Sequence, residues 1–99
     1  MTMPEWDFDD VDLYSEDDSR AVIRVKLTSF TPKNKADCSF ISGELKISAN
    51  VGEKVYSKTI NGLTEKLVKK DEIKNSNKSF DVILKKKQKP SLKGLFYNG

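Results

Sequence analysis

The chain lacks histidine altogether and has a single cysteine, Cys38. Without histidine there is no Ser-His or Cys-His nucleophile pair, no histidine general base and no histidine-ligated zinc site. One cysteine cannot form an internal disulfide, which favours a reducing compartment. No stretch approaches the ~20 apolar residues of a membrane-spanning helix, and no apolar signal region follows the N-terminus. We therefore expect a protein of the cytoplasm, with the nucleus as a second compartment, and no membrane partner.

Motifs for catalysis and for cofactor or metal binding are also missing. The five glycines are scattered singly, so there is no glycine-rich phosphate loop. Residues 7–12 have the carboxylates of a calcium loop but no glycine for its sharp turn, and Val11 stands at a ligand position. Carboxylates cluster near the N-terminus, where exposure gives no reason for the raised pKa of a general acid. The sequence thus predicts no catalytic residue, metal site or cofactor, and a protein that is not an enzyme.

Charge is present in quantity and is distributed unevenly. The net charge is +3, but the N-terminal block, residues 1–20, has eight acidic side chains and one basic side chain, Arg20. The net charge of this block is −7. The remaining residues have 17 basic and 7 acidic side chains, a balance of +10. Blocks of opposite charge can attract each other within the chain or steer a partner. We expect residues 1–10 to form an acidic leader, for which disorder, masking of the basic part and docking of a partner all stay open.

Most of the chain after the leader predicts strands, because apolar residues recur at every second position. The predicted strands are residues 11–14, 21–30, 36–41, 44–50, 54–60 and 79–86. Residues 63–73 are ambiguous between helical spacing and a loop with a short strand near 72–74. Six or seven short strands, roughly every 8–12 residues, predict an all-β fold: a seven-stranded antiparallel β-sandwich of immunoglobulin-like architecture. We expect this domain to span residues 11–93, followed by a C-terminal edge at 94–99.

Several short motifs follow one another in a particular order. They are residues 13–16 (LYSE), 22–27 (VIRVKL), 37–40 (DCSF), 44–47 (ELKI), 54–60 (KVYSKTI) and 82–87 (VILKKK). In this order the chain resembles the CS domain, the β-sandwich of several co-chaperones and of calcyclin-binding protein. The resemblance covers residues 11–93 and consists of apolar positions and turns. Two motifs depart from the family: residues 90–93 (PSLK) keep the leucine but not the tryptophan of W-x-x-L, and residues 67–72 match I-x-P-E-x-S only loosely.

The resemblance implies a non-catalytic module that binds another protein through an exposed sheet face. In the family's co-chaperones the contact uses an aromatic residue near the first strand and lysines of the last strand. The matching positions here are Tyr14, Lys85, Lys86 and Lys87. The implied partner is the large ATP-dependent heat-shock chaperone or a ubiquitin-ligase adaptor, bound by a monomeric protein. Lys85 alternates with Leu84 and should therefore face outward, as a contact residue must.

Two other classes of function stay open. The acidic leader could mimic a polyanion in a small phage or host-defence inhibitor, and residues 85–93 could bind nucleic acid in a salt-sensitive manner. Nucleic acid is the less expected partner, because the aromatic residues are not arranged to stack bases.

Ser15 precedes three acidic residues, a context in which phosphorylation would add ~1.5–2 negative charges; an unmodified turn is the alternative.

Overall fold

The computed structural model describes residues 4–97 of the protein, and the regular secondary structure of these residues consists of strands and one short 3-10 turn. The strands are β1 (Glu5–Trp6), β2 (Asp10–Glu16), β3 (Arg20–Lys26), β4 (Lys35–Ile41), β5 (Glu44–Val51), β6 (Lys54–Thr64), β7 (Val68–Asn75) and β8 (Ser79–Lys86). They form two four-stranded sheets, with the orders β1-β6-β5-β4 and β2-β3-β8-β7. No helix in this part of the chain is long and apolar enough to cross a bilayer.

The predicted all-β sandwich is confirmed, but the prediction of seven strands paired only antiparallel is not. Residues 4–97 form eight strands, and β1 pairs in parallel with β6, with Glu5 opposite Val55 and Trp6 opposite Tyr56. The other strand pairs are antiparallel. A strand of two residues is too short to show an alternation of apolar and polar positions, so the sequence pattern could not indicate it.

The core lies between the two sheets and is built from every second residue of the long strands. Its fully buried members include the side chains that alternation predicts to face inward: Ile23, Val25, Leu45, Ile47, Ala49, Phe80, Val82 and Leu84. The rings of Phe30 and Phe80 pack with their centroids 5.0 Å apart. Cys38 of β4 is also in this core and is only 3% exposed.

The described part of the acidic leader, residues 4–10, is folded onto both sheets. Phe8 is buried and packs against Phe80 at a centroid distance of 5.7 Å. Glu5 forms a 2.9 Å ion pair with Lys46 of β5. A carboxylate oxygen of Asp9 accepts hydrogen bonds from the backbone N–H of Thr28, at 2.8 Å, and from its hydroxyl, at 2.7 Å. These residues therefore connect one sheet to the other; residues 1–3 of the leader lie outside the described part.

The segment that the sequence left ambiguous is a pair of strands joined by a turn. β6 continues to Thr64, and β7 begins at Val68. The pairing of β6 with β5 shifts register around Gly62, whose φ is +86°. Leu63 and Val68 are both fully buried, on the two sides of the turn. The spacing of Leu63, Leu67 and Val68 resembles that of a helix because a β-bulge and a turn together break the period of two.

Candidate protein-binding face

The candidate site lies on the solvent side of the β2-β3-β8-β7 sheet, called here the outer face. Pairing places Val22 opposite Ile83 and Arg24 opposite Asp81 across β3 and β8. Alternation directs these four side chains away from the core. Ile83 is nevertheless only 4% exposed and does not belong to the core cluster. The outer face therefore has an apolar centre of its own.

Tyr14 projects onto the outer face at a β-bulge. The pairing of β2 with β3 shifts register between Leu13 and Ser15, which leaves Tyr14 without a partner residue. Such a bulge redirects a side chain out of the regular pleat. Tyr14 is 59% exposed as a residue, and the guanidinium carbon of Arg24 lies 3.5 Å from the centroid of its ring, a close cation–π contact.

Asp81 holds Arg24 in this position by a two-point hydrogen bond. Nε of Arg24 donates to one carboxylate oxygen at 2.9 Å, and an η-nitrogen donates to the other at 3.0 Å. The hydrogen bond to Asp81 is the main cause that raises the pKa of the Arg24 side chain above its already high value. A bidentate pair of this kind fixes direction as well as distance. Asp81 therefore fixes the position of the Arg24 guanidinium, and the guanidinium in turn holds the Tyr14 ring on the outer face.

Three basic side chains cross the same face in register, and we call them the basic row. Lys85 of β8 pairs with Arg20 of β3 on one side and with Lys69 of β7 on the other. All three residues are exposed. Within residues 4–97 none of them has a carboxylate within 4.0 Å. Like charges directly opposite each other destabilise a sheet, so the basic row is an unfavourable arrangement in the absence of an anion.

A shallow groove runs from Tyr14 to one member of the basic row, Arg20. Its volume is about 340 Å³. Its lining includes the aromatic Tyr14, the apolar Val22 and Ile83, the basic Arg20 and Lys74, and the acidic Glu16, Asp17 and Asp81. The groove thus offers an apolar floor and an exposed aromatic ring beside the basic row, and side chains of both charges line it.

Lys86, one of the four sequence-predicted contact residues, lies inside the protein. Its side chain is 2% exposed, and its ammonium is 2.6 Å from Glu16, whose side chain is 8% exposed. The same ammonium donates to the backbone carbonyl of Lys89 at 3.0 Å. Lys86 closes one end of the sandwich and does not reach the outer face, because the alternation that turns Lys85 outward turns Lys86 inward.

The Glu16 carboxylate binds the C-terminal segment as well as Lys86. It accepts hydrogen bonds from the backbone N–H of Leu92 at 2.9 Å and from the hydroxyl of Ser91 at 3.0 Å. Burial by itself would raise the pKa of Glu16, but these hydrogen bonds and that from Lys86 outweigh it and hold the pKa below its usual value. The carboxylate therefore joins β2, β8 and the segment after β8.

Lys87 is exposed but has a structural contact of its own. Its ammonium donates to the backbone carbonyl of Glu65 at 2.7 Å, and its backbone N–H donates to the carbonyl of Leu67 at 2.8 Å. Both bonds fasten the turn between β6 and β7. Of the four sequence-predicted residues, the structure brings Tyr14 and Lys85 onto one face, buries Lys86 and places Lys87 at the end of β8.

Sequence reasoning missed Arg20, Lys69, Arg24 and Asp81 as members of this face. The outward direction of Arg24 was visible in the alternation of β3, but its partner Asp81 lies 57 positions away. The basic row depends on the register of three strands, which no local pattern specifies. The described residues contain no group of three or more histidine, cysteine or acidic side chains placed to hold an ion.

Comparison of the chain with protein-family models, with curated proteins and with solved structures gives no match. The CS-domain resemblance therefore stays a prediction made from the sequence.

Proposed function

We propose that the protein is a non-catalytic interaction module that binds an acidic segment of a partner protein on its outer face. The observation that carries the proposal is the basic row: Arg20, Lys85 and Lys69 lie in register on adjacent strands. Repulsion among three neighbouring cations disfavours the free protein. A partner that places carboxylates between these side chains relieves the repulsion. The relief of this repulsion contributes to the free energy of binding.

Tyr14 supplies the second element of the proposed contact. Interface residues that dominate binding are enriched in tyrosine and arginine beside apolar floors. Tyr14 is exposed, is stacked on Arg24 and borders a groove that contains Val22 and Ile83. Because its direction is fixed by the bulge and by Arg24, little side-chain entropy is lost when a partner packs against it.

The CS-domain resemblance names candidate partners: the large ATP-dependent heat-shock chaperone and ubiquitin-ligase adaptors. What supports this narrower proposal is the two-sheet sandwich together with the placement of Tyr14 and Lys85 on one face. Sandwiches of this kind serve many functions, so the partner has to be identified by binding. In the proposed contact Arg20 and Lys69 replace the buried Lys86.

The experiment compares three forms of the protein as immobilised baits. One is wild type, one carries Tyr14→Ala with Lys85→Glu, and the matched control carries Ile41→Ala with Lys35→Glu on β4 of the other sheet. Each pair removes one exposed apolar side chain and reverses one exposed lysine. Purified heat-shock chaperone is tested first, then cytosolic extract read by mass spectrometry, with circular dichroism to show that all baits are folded.

We expect a partner that wild type and the β4 control retain equally and that the outer-face variant loses. Binding should weaken with added salt, since exposed charges are screened. A partner retained by the outer-face variant as well as by wild type would contradict the proposal. Recovery of RNA alone, removed by salt, would favour the nucleic-acid alternative instead.

A further inference from the structure

One edge of the β1-β6-β5-β4 sheet is only partly covered. β6 has eleven residues, and β1 pairs only with Val55 and Tyr56 of that strand. In the described part of the chain no strand pairs with residues 57–60 on this side. An uncovered strand edge presents unpaired N–H and C=O groups to its surroundings. Lys58 and Thr59 on this stretch are exposed, and Ile60 is buried.

A cleft runs beside this uncovered edge, and we call it the edge cleft. It consists of two adjoining hollows of about 340 Å³ and about 350 Å³, which share Val11 of β2 and Lys58 of β6. The other apolar lining residues are Phe8, Ile60, Leu95 and Phe96. The edge cleft therefore lies between an edge strand of one sheet and an edge strand of the other, and these apolar side chains form the smaller part of its accessible lining.

The charge at one end of the edge cleft is negative. Asp7 and Asp10 line the second hollow and are exposed. Within residues 4–97 neither carboxylate has a basic group within 4.0 Å. Lys58 is the basic residue that lines this hollow. A lysine or arginine of a bound segment would find two carboxylates there.

We propose that the edge cleft binds an extended segment of a partner protein, which pairs with residues 57–60 as an added strand. The chain itself shows that this edge accepts a strand, since Glu5–Trp6 already pairs with the adjoining part of β6. Main-chain hydrogen bonds give affinity in such additions, and alternate side chains give specificity. The segment that fits has apolar residues at alternate positions, directed at Val11 and Ile60, and a basic residue near Asp7 and Asp10. This site is separate from the outer face and takes a segment of opposite charge.

The first test selects binders from a displayed library of random linear 12-residue peptides on the immobilised full chain. Synthetic copies of the enriched peptides are then titrated into isotope-labelled protein. We expect enriched peptides with alternating apolar residues and at least one lysine or arginine, and amide shift changes concentrated at residues 57–61 and Val11. Absence of enrichment, or shift changes confined to other parts of the protein, overturns the proposal.

The second test uses backbone methylation of the best peptide. Only every second residue of an added strand directs its N–H toward the sheet edge. Methylation of alternate amides should therefore weaken binding tenfold or more in one frame and much less in the other. Equal effects in both frames would show that the peptide does not bind as a strand, and would overturn the proposal.

The charge preference is tested with a pair of matched variants. Asp7→Lys with Asp10→Lys should weaken binding of the selected basic peptides at least tenfold. The control, Glu53→Lys with Asp71→Lys, makes the same change of net charge at exposed residues that do not line the edge cleft. If peptide binding weakens equally in both variants, the effect comes from the net charge of the protein, and the assignment of Asp7 and Asp10 as the residues that bind the basic side chain is overturned.

Discussion

The carboxylate of Glu16 lies 2.6 Å from the ammonium of Lys86, across 70 positions of sequence and within one end of the sandwich. The two side chains are almost completely buried. Glu16 belongs to the acidic N-terminal block and Lys86 to the basic remainder, so the charge asymmetry of the sequence is in part used within the fold. Hydrogen bonds from Leu92 and Ser91 to the same carboxylate extend this connection to the C-terminal segment.

Replacing Lys86 should destabilise the protein far more than replacing its neighbour. Lys86→Met leaves the Glu16 carboxylate buried without its cation, and breaking a buried pair in this way costs about 3 kcal/mol. Lys85→Met removes an exposed side chain and should change the free energy of unfolding by less than about 0.5 kcal/mol. Urea unfolding of the two variants measures both values. Similar values for the two would contradict the buried position of Lys86.

The Glu16 network also predicts a dependence of stability on pH. The pKa of Glu16 in the folded protein lies below its ordinary value of 4.5, so the folded state binds this proton less readily than the unfolded state. The resulting stability is fully present above pH 4.5 and is lost as the pH falls through the lower, folded pKa.

The measurement is the difference in free energy of unfolding between wild type and Glu16→Gln at several pH values. Contributions from the other carboxylates are common to both proteins and cancel in this difference. The difference should be largest near pH 7 and should shrink below pH 4.5. A difference that is constant from pH 7 to pH 3 would be inconsistent with a lowered pKa at Glu16.

Lys85→Glu should make the protein more stable while it impairs partner binding. The substitution places a carboxylate between Arg20 and Lys69, its two cross-strand neighbours. Replacing two repulsive contacts by two attractive ones contributes about 0.5–1 kcal/mol. Lys89→Glu, an exposed change outside the strands, is the control and should have little effect. A fall in the thermal midpoint of Lys85→Glu relative to Lys89→Glu would show that the basic row is not under repulsion.

Cys38 should be chemically inert in the folded protein. Burial raises the pKa of its thiol to about 11, so only a small fraction is thiolate at pH 8, and the thiolate is the reactive species. We expect alkylation by iodoacetamide at pH 8 to be at least tenfold slower in native protein than in urea-unfolded protein, as measured by mass spectrometry. Native and unfolded rates of equal size would indicate that β4 opens readily.

The strands and the inward residues could be predicted in large part from the sequence, because they depend on a local property. Apolar side chains at every second position become buried together when the chain is extended, because they then lie on one face of the strand and that face packs on the core. β8 shows this well: Phe80, Val82 and Leu84 were expected inside and are. The same alternation implied that Lys86 points inward, but the CS-domain resemblance led to the opposite expectation. The two-residue strand β1 gave no signal.

The candidate site was decided by tertiary structure. The sequence placed Tyr14 and Lys85 near two different strands, but only the pairing of β3, β8 and β7 brings Arg20 and Lys69 beside Lys85. Strand pairing also determines two other features, the Arg24–Asp81 pair beneath Tyr14 and, in the described part of the chain, the edge of β6 that no strand covers. Strand order and register depend on the free energy of packing the whole sandwich, in which residues far apart in the chain become neighbours. The local alternation of apolar and polar residues determines whether a side chain points to the core or to solvent. The packing of the two sheets determines which residues become its neighbours.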